Sequence, residues 1–428
     1  MQLCSYVFNK VKTSEASKSH ISLLATKSLN KMKFLKNIVD KVEPTFSEGG
    51  KLHMFHSVFD GFKTFLFVPN DTAKHGVHIH DVTDSKRTMI MVVIALIPAL
   101  LFGMWNIGYQ HFLAIGQDAT FWQQFAFGLL AMLPAIVVSY LVGLGIEFTV
   151  AQFKGHEIQE GFLVSGILIP MIIPVDTPLW MVAIATAFSV IFAKEVFGGT
   201  GYNVFNVALI TRAFLFFAYP TAMSGDQVWV RTRDAFWYGA GEKIDGFSGA
   251  TPLGQVAVAP EYAGITDTFG NPIGFMDAFM GWIPGSMGET STLAILIGAA
   301  ILLITRVASW KTMLSVFVGG AFTAFLFNQF GPDTAAANMP WYMHLVLGGF
   351  AFGAVFMATD PVTSARTECG KWIYGFLIGV IAIVVRVLNP GYPEGMMLAI
   401  LLMNIFANVI DYYVVQANIN KRLKRANK

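Results

Sequence analysis

The sequence predicts an all-α polytopic membrane protein: ten transmembrane helices in two inverted five-helix repeats, preceded by a cytoplasmic N-terminal helical region. Three observations predict it. The 428 residues are 54% hydrophobic and only 13% charged, whereas an average soluble domain is roughly 25% charged. Mean hydropathy is +0.56, too apolar for one soluble core. Apolar windows near the ~20 residues that cross a bilayer recur at about 88–107, 125–150, 161–174, 179–196, 203–219, 291–306, 312–329, 341–358, 371–388 and 395–415.

Basic residues orient these windows. The N-terminal region is rich in Lys, and the chain ends in Lys421-Arg422-Leu423-Lys424-Arg425, which puts both termini in the cytoplasm and requires an even number of spans. The connections near 151–160, 305–312 and 359–371 carry Lys154, Arg306, Lys311, Arg366 and Lys371, while 108–124, 175–178 and 330–340 carry no Lys or Arg. The long connection falls outside, where Arg231, Arg233 and Lys243 are tolerated because long loops escape the rule. Leu163-Val164-Ser165-Gly166 running to Asp176-Thr177-Pro178 is similar to Leu347-Gly348-Gly349 running to Thr359-Asp360-Pro361. Both fall on the third span of a five-span half, and an odd-numbered unit duplicated in one chain must insert its second copy upside down.

The division that follows is 1–31, disordered or ahead of a true start at Met32; 32–87, a cytoplasmic amphipathic region; 88–219, the first half; 220–290, an external loop; 291–415, the second half; and 416–428, a basic cytoplasmic tail. Phe55, Val58, Phe59, Phe62, Phe65 and Leu66 recur at helical spacing. They fit a helix on the membrane face or an ordinary packed helix of a small cap. No cleavable signal peptide is evident. Cys4 and Cys369 are too few and too far apart for an iron–sulfur cluster or a disulfide framework. There is no Walker A loop and no GxGxxG after a strand, and His344 is alone in its helix, so energy from redox partners is the remaining source.

The external loop holds Asp245-Gly246-Phe247-Ser248-Gly249-Ala250-Thr251. Ser-Gly-Ala-Thr after an acidic residue reads as an address for covalent flavin attachment, with FMN joined through its phosphate to the Thr251 hydroxyl; the same string is also a common loop sequence. Gly246 and Gly249 give the flexibility that a transferase needs. Gly198-Gly199-Thr200-Gly201-Tyr202-Asn203-Val204-Phe205-Asn206 interrupts the apolar pattern. It fits a tight turn, or a broken backbone lining a polar cavity where Asn203 and Asn206, one helical turn apart, face a flavin edge. Arg212 lies inside an apolar helix, where an ionisable group is paired or functional. Glu147, Asp360 and Asp411, at the cytoplasmic ends of spans, fit sodium-binding carboxylates or interfacial caps. Lys194 and Glu195 are read as snorkelling at a helix end.

Long stretches then resemble one family: Lys194-Glu-Val-Phe-Gly-Gly-Thr-Gly201, Arg212-Ala-Phe-Leu-Phe-Phe-Ala-Tyr-Pro220, Ile283-Pro-Gly-Ser-Met-Gly-Glu-Thr-Ser291, His344-Leu-Val-Leu-Gly-Gly-Phe-Ala-Phe-Gly353, Met357-Ala-Thr-Asp-Pro361 and Asn389-Pro-Gly-Tyr-Pro-Glu-Gly-Met-Met397. From Met32 onward the chain resembles the B subunit of the Na⁺-translocating NADH:quinone reductases, a translocase of six subunits in the bacterial inner membrane, with NADH oxidised on another subunit. The resemblance implies covalent FMN on Thr251, with Asp245, Ser248, Gly249 and Ala250 read by the flavin transferase. It implies non-covalent riboflavin at Asn203 and Asn206, with Arg212 in the flavin region, and quinone reduction around Gly143, Leu144 and Glu147. It points to Glu147 and Asp411 for sodium uptake. Two departures stand out: Leu144 replaces a family Gly on the quinone side, and Asn206-Val-Ala-Leu-Ile-Thr-Arg212 replaces Asn-Pro-Ala-Leu-x-Gly-Arg. The D subunit of the related Rnf complex shares the flavin string and the ten-span core but lacks most of region 32–80. A non-redox inverted-repeat carrier would make Ser248–Thr251 coincidental.

Overall fold

A computed structural model describes residues 37, 39–46, 59, 63, 85–154, 161–223, 228–245, 247, 249–267 and 269–427. The chain divides into two compact units, residues 1–78 with 151–158 and residues 79–150 with 159–428. In the smaller unit residues 39–46 are helical. Phe46 stacks on Phe59 at 4.9 Å, and Lys63 pairs with Glu43 at 2.5 Å, so Phe59 has a packing partner inside its own unit. The other residues of the expected amphipathic stripe, and residues 1–31, lie outside the described residues.

The larger unit is helical, with no strand among the described residues beyond two isolated bridges. Its first helices are α1 (Ser85–Ala114), α2 (Phe121–Lys154), α3 (Phe162–Ile172), α4 (Leu179–Ser189, running into a π-turn at Val190–Glu195) and α5 (Val207–Ala218). The long connection after α5 carries the short α6 (Pro252–Val258) and α7 (Phe275–Met280). Then follow α8 (Thr292–Ile304), α9 (Trp310–Phe330), α10 (Ala335–Asn338), α11 (Met343–Val346), α12 (Phe350–Phe352, running into a π-turn at Gly353–Met357), α13 (Glu368–Leu388) and α14 (Met396–Ala426). Helix lies in each of the ten apolar windows. Five helices, within α1, α2, α9, α13 and α14, are long and apolar enough to cross a membrane; α3, α5 and α8 are shorter apolar helices.

The differences from expectation have local causes. α3 ends at Ile172, ahead of Pro174, because Ile173 is extended and a residue before proline avoids the α region. The window at 341–358 is broken: Leu347 is extended and Gly348 has φ +62°, a left-handed position that suits glycine. The window beginning at 203 becomes helical only at Val207, with Asn206 as its N-cap. Asn203 is therefore not one helical turn from Asn206 on a shared helix face.

Small residues bring the helices together, as expected where burial of apolar surface drives little association. On α13, Gly375 and Gly379 meet α9. A Cβ on Gly379 would lie 2.2 Å from the Val316 carbonyl oxygen, and one on Gly319 would lie 2.2 Å from that of Phe376. α1 meets α8 in the same way at Gly298, against the Ala95 carbonyl. The first helices of the two sequence halves thus pack on each other.

This long connection is fastened to the bundle. Both ring nitrogens of the buried His111, on α1, lie within 2.8 Å of carbonyl oxygens, those of Arg231 and Gly239. Arg231 and Arg233 each donate to Asp176 at 3.1 Å, in the connection between α3 and α4. Phe247 is buried with Ala114 and Val230, anchoring the segment that leads to Thr251.

Candidate functional site

The Thr251 region is built around a buried ion cluster. Thr251 caps α6, its Oγ1 accepting from the Gly254 amide at 3.1 Å. Pro252 follows at the first helical position, which suits proline. The hydroxyl is half-buried and lines a cleft of about 910 Å³ with Arg212, Trp229, Tyr392 and Glu394. Arg212 donates to Glu289 at 2.7 Å and also to Glu394, and its guanidinium lies 5.8 Å from the Trp229 ring centre. Burial pushes the Glu394 carboxyl above its ordinary range, while Arg212 and Arg386 pull it back toward the charged form. Two polar atoms at this cleft and the adjoining pocket, the Tyr392 hydroxyl and the Thr290 hydroxyl, are buried without a partner among the described residues. Asp245 is exposed, Gly249 is buried, and Ala250 offers its carbonyl to the Gln255 side chain at 3.4 Å. Ser248 lies outside the described residues.

Below Arg212 stands a second buried cation. Arg386, on α13, donates to the carbonyls of His344 (2.6 Å), Leu347 (3.2 Å), Pro393 (3.2 Å) and Glu394 (3.3 Å). The broken α11–α12 segment exposes the first two carbonyls, which no intrahelical donor satisfies.

A different, narrow cavity is walled in part by the glycine-rich segment. It is lined by Lys194, Thr200, Asn203, Asn206, Asp360 and Phe356, among others. Gly198, Gly199 and Gly201 all have positive φ, as a tight turn requires, and Thr200, Asn203 and Asn206 line the cavity. Asn206 is committed on both sides: its oxygen accepts from the amides of Ala208 and Leu209, and its nitrogen donates to Asp360 at 3.3 Å. Asn203 donates to the Phe205 carbonyl at 3.0 Å and accepts from the Gly201 amide at 3.3 Å. The Thr200 hydroxyl is the buried group of this wall with no partner among the described residues.

The remaining candidates separate. Arg212 does not join Asn203 and Asn206; it faces the Thr251 cleft. Lys194 does not snorkel: it is 3% exposed and forms an ion pair with Glu147 of α2. The second Glu147 carboxylate oxygen has no partner among the described residues. Gly143, one turn from Glu147, lies under the Phe162 ring, where a Cβ would come within 1.9 Å of the ring. Leu144 turns aside and is half-buried against the bundle core. Asp360 closes the turn after the second π-turn, accepting from Val362 (3.0 Å) and Thr363 (3.1 Å) as well as Asn206. Asp411 stands elsewhere, accepting from the Arg366 amide (2.7 Å), the Thr367 amide (3.0 Å) and the Thr367 hydroxyl (2.5 Å).

A family model covering NQR2, RnfD and RnfE matches residues 72–420. The chain belongs to the NQR2, RnfD, RnfE family. The B subunit of the Na(+)-translocating NADH-quinone reductase of Chromohalobacter salexigens is 46% identical over 419 residues, covering 91% of this chain and 96% of its own length. Its counterpart in Klebsiella pneumoniae is 45% identical and that in Pseudomonas aeruginosa 44%, each over 91% of this chain and 99% of its own length. Membership accounts for the polytopic helical fold. Sequence reasoning singled out Thr251 and Arg212 but missed Trp229, Glu289, Arg386 and Glu394. Their signal, a charge inside an apolar run, was present only for Arg386.

Proposed function

We propose that this chain is the flavin-bearing membrane component of a redox-driven sodium pump, passing electrons toward quinone with export of Na⁺. The observation that carries the reading is that the half-buried Thr251 lines one cleft with Arg212, Trp229 and Tyr392. An FMN phosphoester at Thr251 would bring negative charge and a planar ring to that cleft. Arg212, already paired with Glu289 and Glu394, would hold the cleft wall rather than grip the phosphate; Trp229 offers an aromatic face for the ring, and the unpartnered Tyr392 hydroxyl adds a hydrogen bond. Bound there, FMN would supply one-electron and two-electron carrier chemistry. Asp245, Ser248, Gly249 and Ala250 would be the transferase address.

Riboflavin would sit at the second cavity, where Thr200 has free hydrogen-bonding capacity and Lys194 and Asp360 bring charge to an otherwise apolar wall. Asn203 and Asn206 would then act mainly by holding the backbone of that wall, since their own groups are engaged. Quinone would be reduced around Gly143, Leu144 and Glu147. Na⁺ is the cargo, and the candidate carboxylates are Glu147, Asp360 and Asp411. The ten windows would cross the membrane as two inverted five-helix halves, both termini cytoplasmic, within a six-subunit complex of the bacterial inner membrane.

The names of the relatives support the reductase over the Rnf reading, because each is the B subunit of a reductase and is matched over 91% of this chain. The test is a denaturing gel viewed under ultraviolet light. The wild-type polypeptide should fluoresce and Thr251→Ala should be dark; a dark wild type or a fluorescent Thr251→Ala chain would defeat the flavin assignment.

A further inference from the structure

Four cations converge on one open cleft of about 840 Å³ between the α8–α9 connection and the loop leading into α13: Arg306, Lys311, Arg366 and Lys371. A single carboxylate, Glu368, answers them. It accepts from Lys311 and, at 2.7 Å, from Lys371. The Arg306 and Arg366 side chains, both exposed, have no ion-pair or hydrogen-bond partner among the described residues. The cleft therefore carries a net excess of three positive charges, with two guanidinium forks unspent.

Backbone geometry fixes where those side chains leave the chain. Arg306 ends α8 in a left-handed conformation, φ +58°, which a side chain other than Gly, Asn or Asp rarely takes. The Arg366 amide is held by Asp411 at 2.7 Å. That bond binds the backbone of the loop and leaves the guanidinium free.

The apolar surroundings identify the kind of ligand. Trp310 and Trp372 stand at the rim, edge to face at 5.7 Å and 52% and 38% exposed. Below them Leu314, Val318 and Phe322 form an exposed stripe along α9, at every fourth residue, beside Ile373 of α13. Indole rings at the head of a lipid-facing stripe mark the membrane–water interface, and basic pockets between helices on the cytoplasmic side take anionic headgroups. A fully soluble ligand would use the cations but not the stripe.

We propose that Arg306, Lys311, Arg366 and Lys371 bind a phosphate group, that of an anionic phospholipid whose acyl chains lie along Leu314 and Val318. The guanidinium forks match phosphate oxygens bidentately, and the two lysines supply charge already gathered by Glu368. The cleft shares Val307, Ala308, Thr359 and Pro361 with the cavity of Asn206 and Asp360. Headgroup occupancy thereby bears on the wall of the candidate flavin cavity, although the binding proposal does not depend on a flavin being there.

The test uses the delipidated assembled complex. One arm places it in phosphatidylcholine nanodiscs with or without phosphatidylglycerol; the other adds inorganic phosphate, at matched ionic strength, to complex in neutral detergent. Bound lipid is counted by native mass spectrometry and stabilisation is read as the shift in melting temperature. Phosphatidylglycerol should bind and stabilise wild type, and the double variant Arg306→Gln/Arg366→Gln should bind it roughly tenfold more weakly, about the size of one lost charge-assisted hydrogen bond. A control removing equal charge from the tail, Lys424→Gln/Arg425→Gln, should behave as wild type. Arg306→Lys/Arg366→Lys, which keeps the charge but loses the forks, should fall between. Stabilisation by inorganic phosphate that the double variant loses would support the phosphate site and assign it to a free anion. Equal lipid binding by wild type and the double variant, with no response to phosphate, would overturn the proposal.

Discussion

Asn206 and Arg212 stand on the same helix, α5, and face different cavities. Six residues separate them, about 9 Å of axial rise. Asn206 caps the helix and lines the glycine-rich cavity with Asp360; Arg212 lines the Thr251 cleft with Trp229. One short helix therefore joins the two places proposed for flavins. A change that tilts α5 moves both.

Arg212 balances two buried carboxylates. Replacing it with Met removes the cation hydrogen-bonded to both Glu289 and Glu394, and breaking a buried pair from one side costs about 3–5 kcal/mol. Arg212→Met is expected to lower the melting temperature of the assembled complex sharply or to prevent its accumulation. Arg212→Met/Glu289→Gln/Glu394→Gln should recover much of that loss. Recovery absent in the triple variant would show that Arg212 holds the fold by other contacts.

Lys194 and Glu147 form the matching pair at the other end of the bundle. Lys194→Met should destabilise more than Glu147→Gln/Lys194→Met, because the single variant leaves an uncompensated buried carboxylate. Thermal melts of the two variants against wild type give the comparison, and equal melting temperatures would refute the pairing. Quinone reduction in the double variant then reports whether the charge itself is needed.

Two glycines should respond oppositely to a methyl group. At Gly379 the new Cβ meets the Val316 carbonyl, and the helices must part, a cost of about 1–3 kcal/mol for an overpacked site. At Gly145, on α2, nothing lies within 4 Å of the new Cβ. There Gly→Ala should stabilise by roughly 0.5–1 kcal/mol through helix propensity. Melting temperatures that move the same way for both variants would contradict the packing.

Asp411 acts, in this geometry, through a loop. Its carboxylate holds the Arg366 and Thr367 amides, six residues beyond Asp360. Asp411→Ala should raise the apparent sodium requirement of quinone reduction while leaving flavin on Thr251. Asp411→Asn, which keeps an acceptor oxygen for the loop, should have a smaller effect. A sodium titration with unchanged midpoint in Asp411→Ala would remove Asp411 from the sodium pathway.

The sequence disclosed what is local. Apolar windows located the helices, and the interrupted pattern at Gly198–Asn206 located a turn, because glycine spacing and hydropathy are properties of neighbouring residues. The Lys194–Glu147 pair was not legible. Its partners are 47 residues apart, and a lysine near a helix end looks the same whether it snorkels or turns inward. The Asn203–Asn206 spacing misled for a related reason: helical periodicity assumes a helix, and Asn206 is the cap where that helix begins. The cluster around Arg212 draws Glu289 from the connection just ahead of α8 and Glu394 from the turn before α14, and no spacing rule connects them.

Arg386 fastens four carbonyls drawn from two separate stretches, the broken α11–α12 segment and the turn before α14. Those stretches therefore move as one rigid block. Displacing either would strand a buried cation, so this corner of the protein acts as an anchor rather than a hinge. The segment from Thr359 to Thr367, by contrast, is tied down by the carboxylates of Asp360 and Asp411, groups for which a cation would compete.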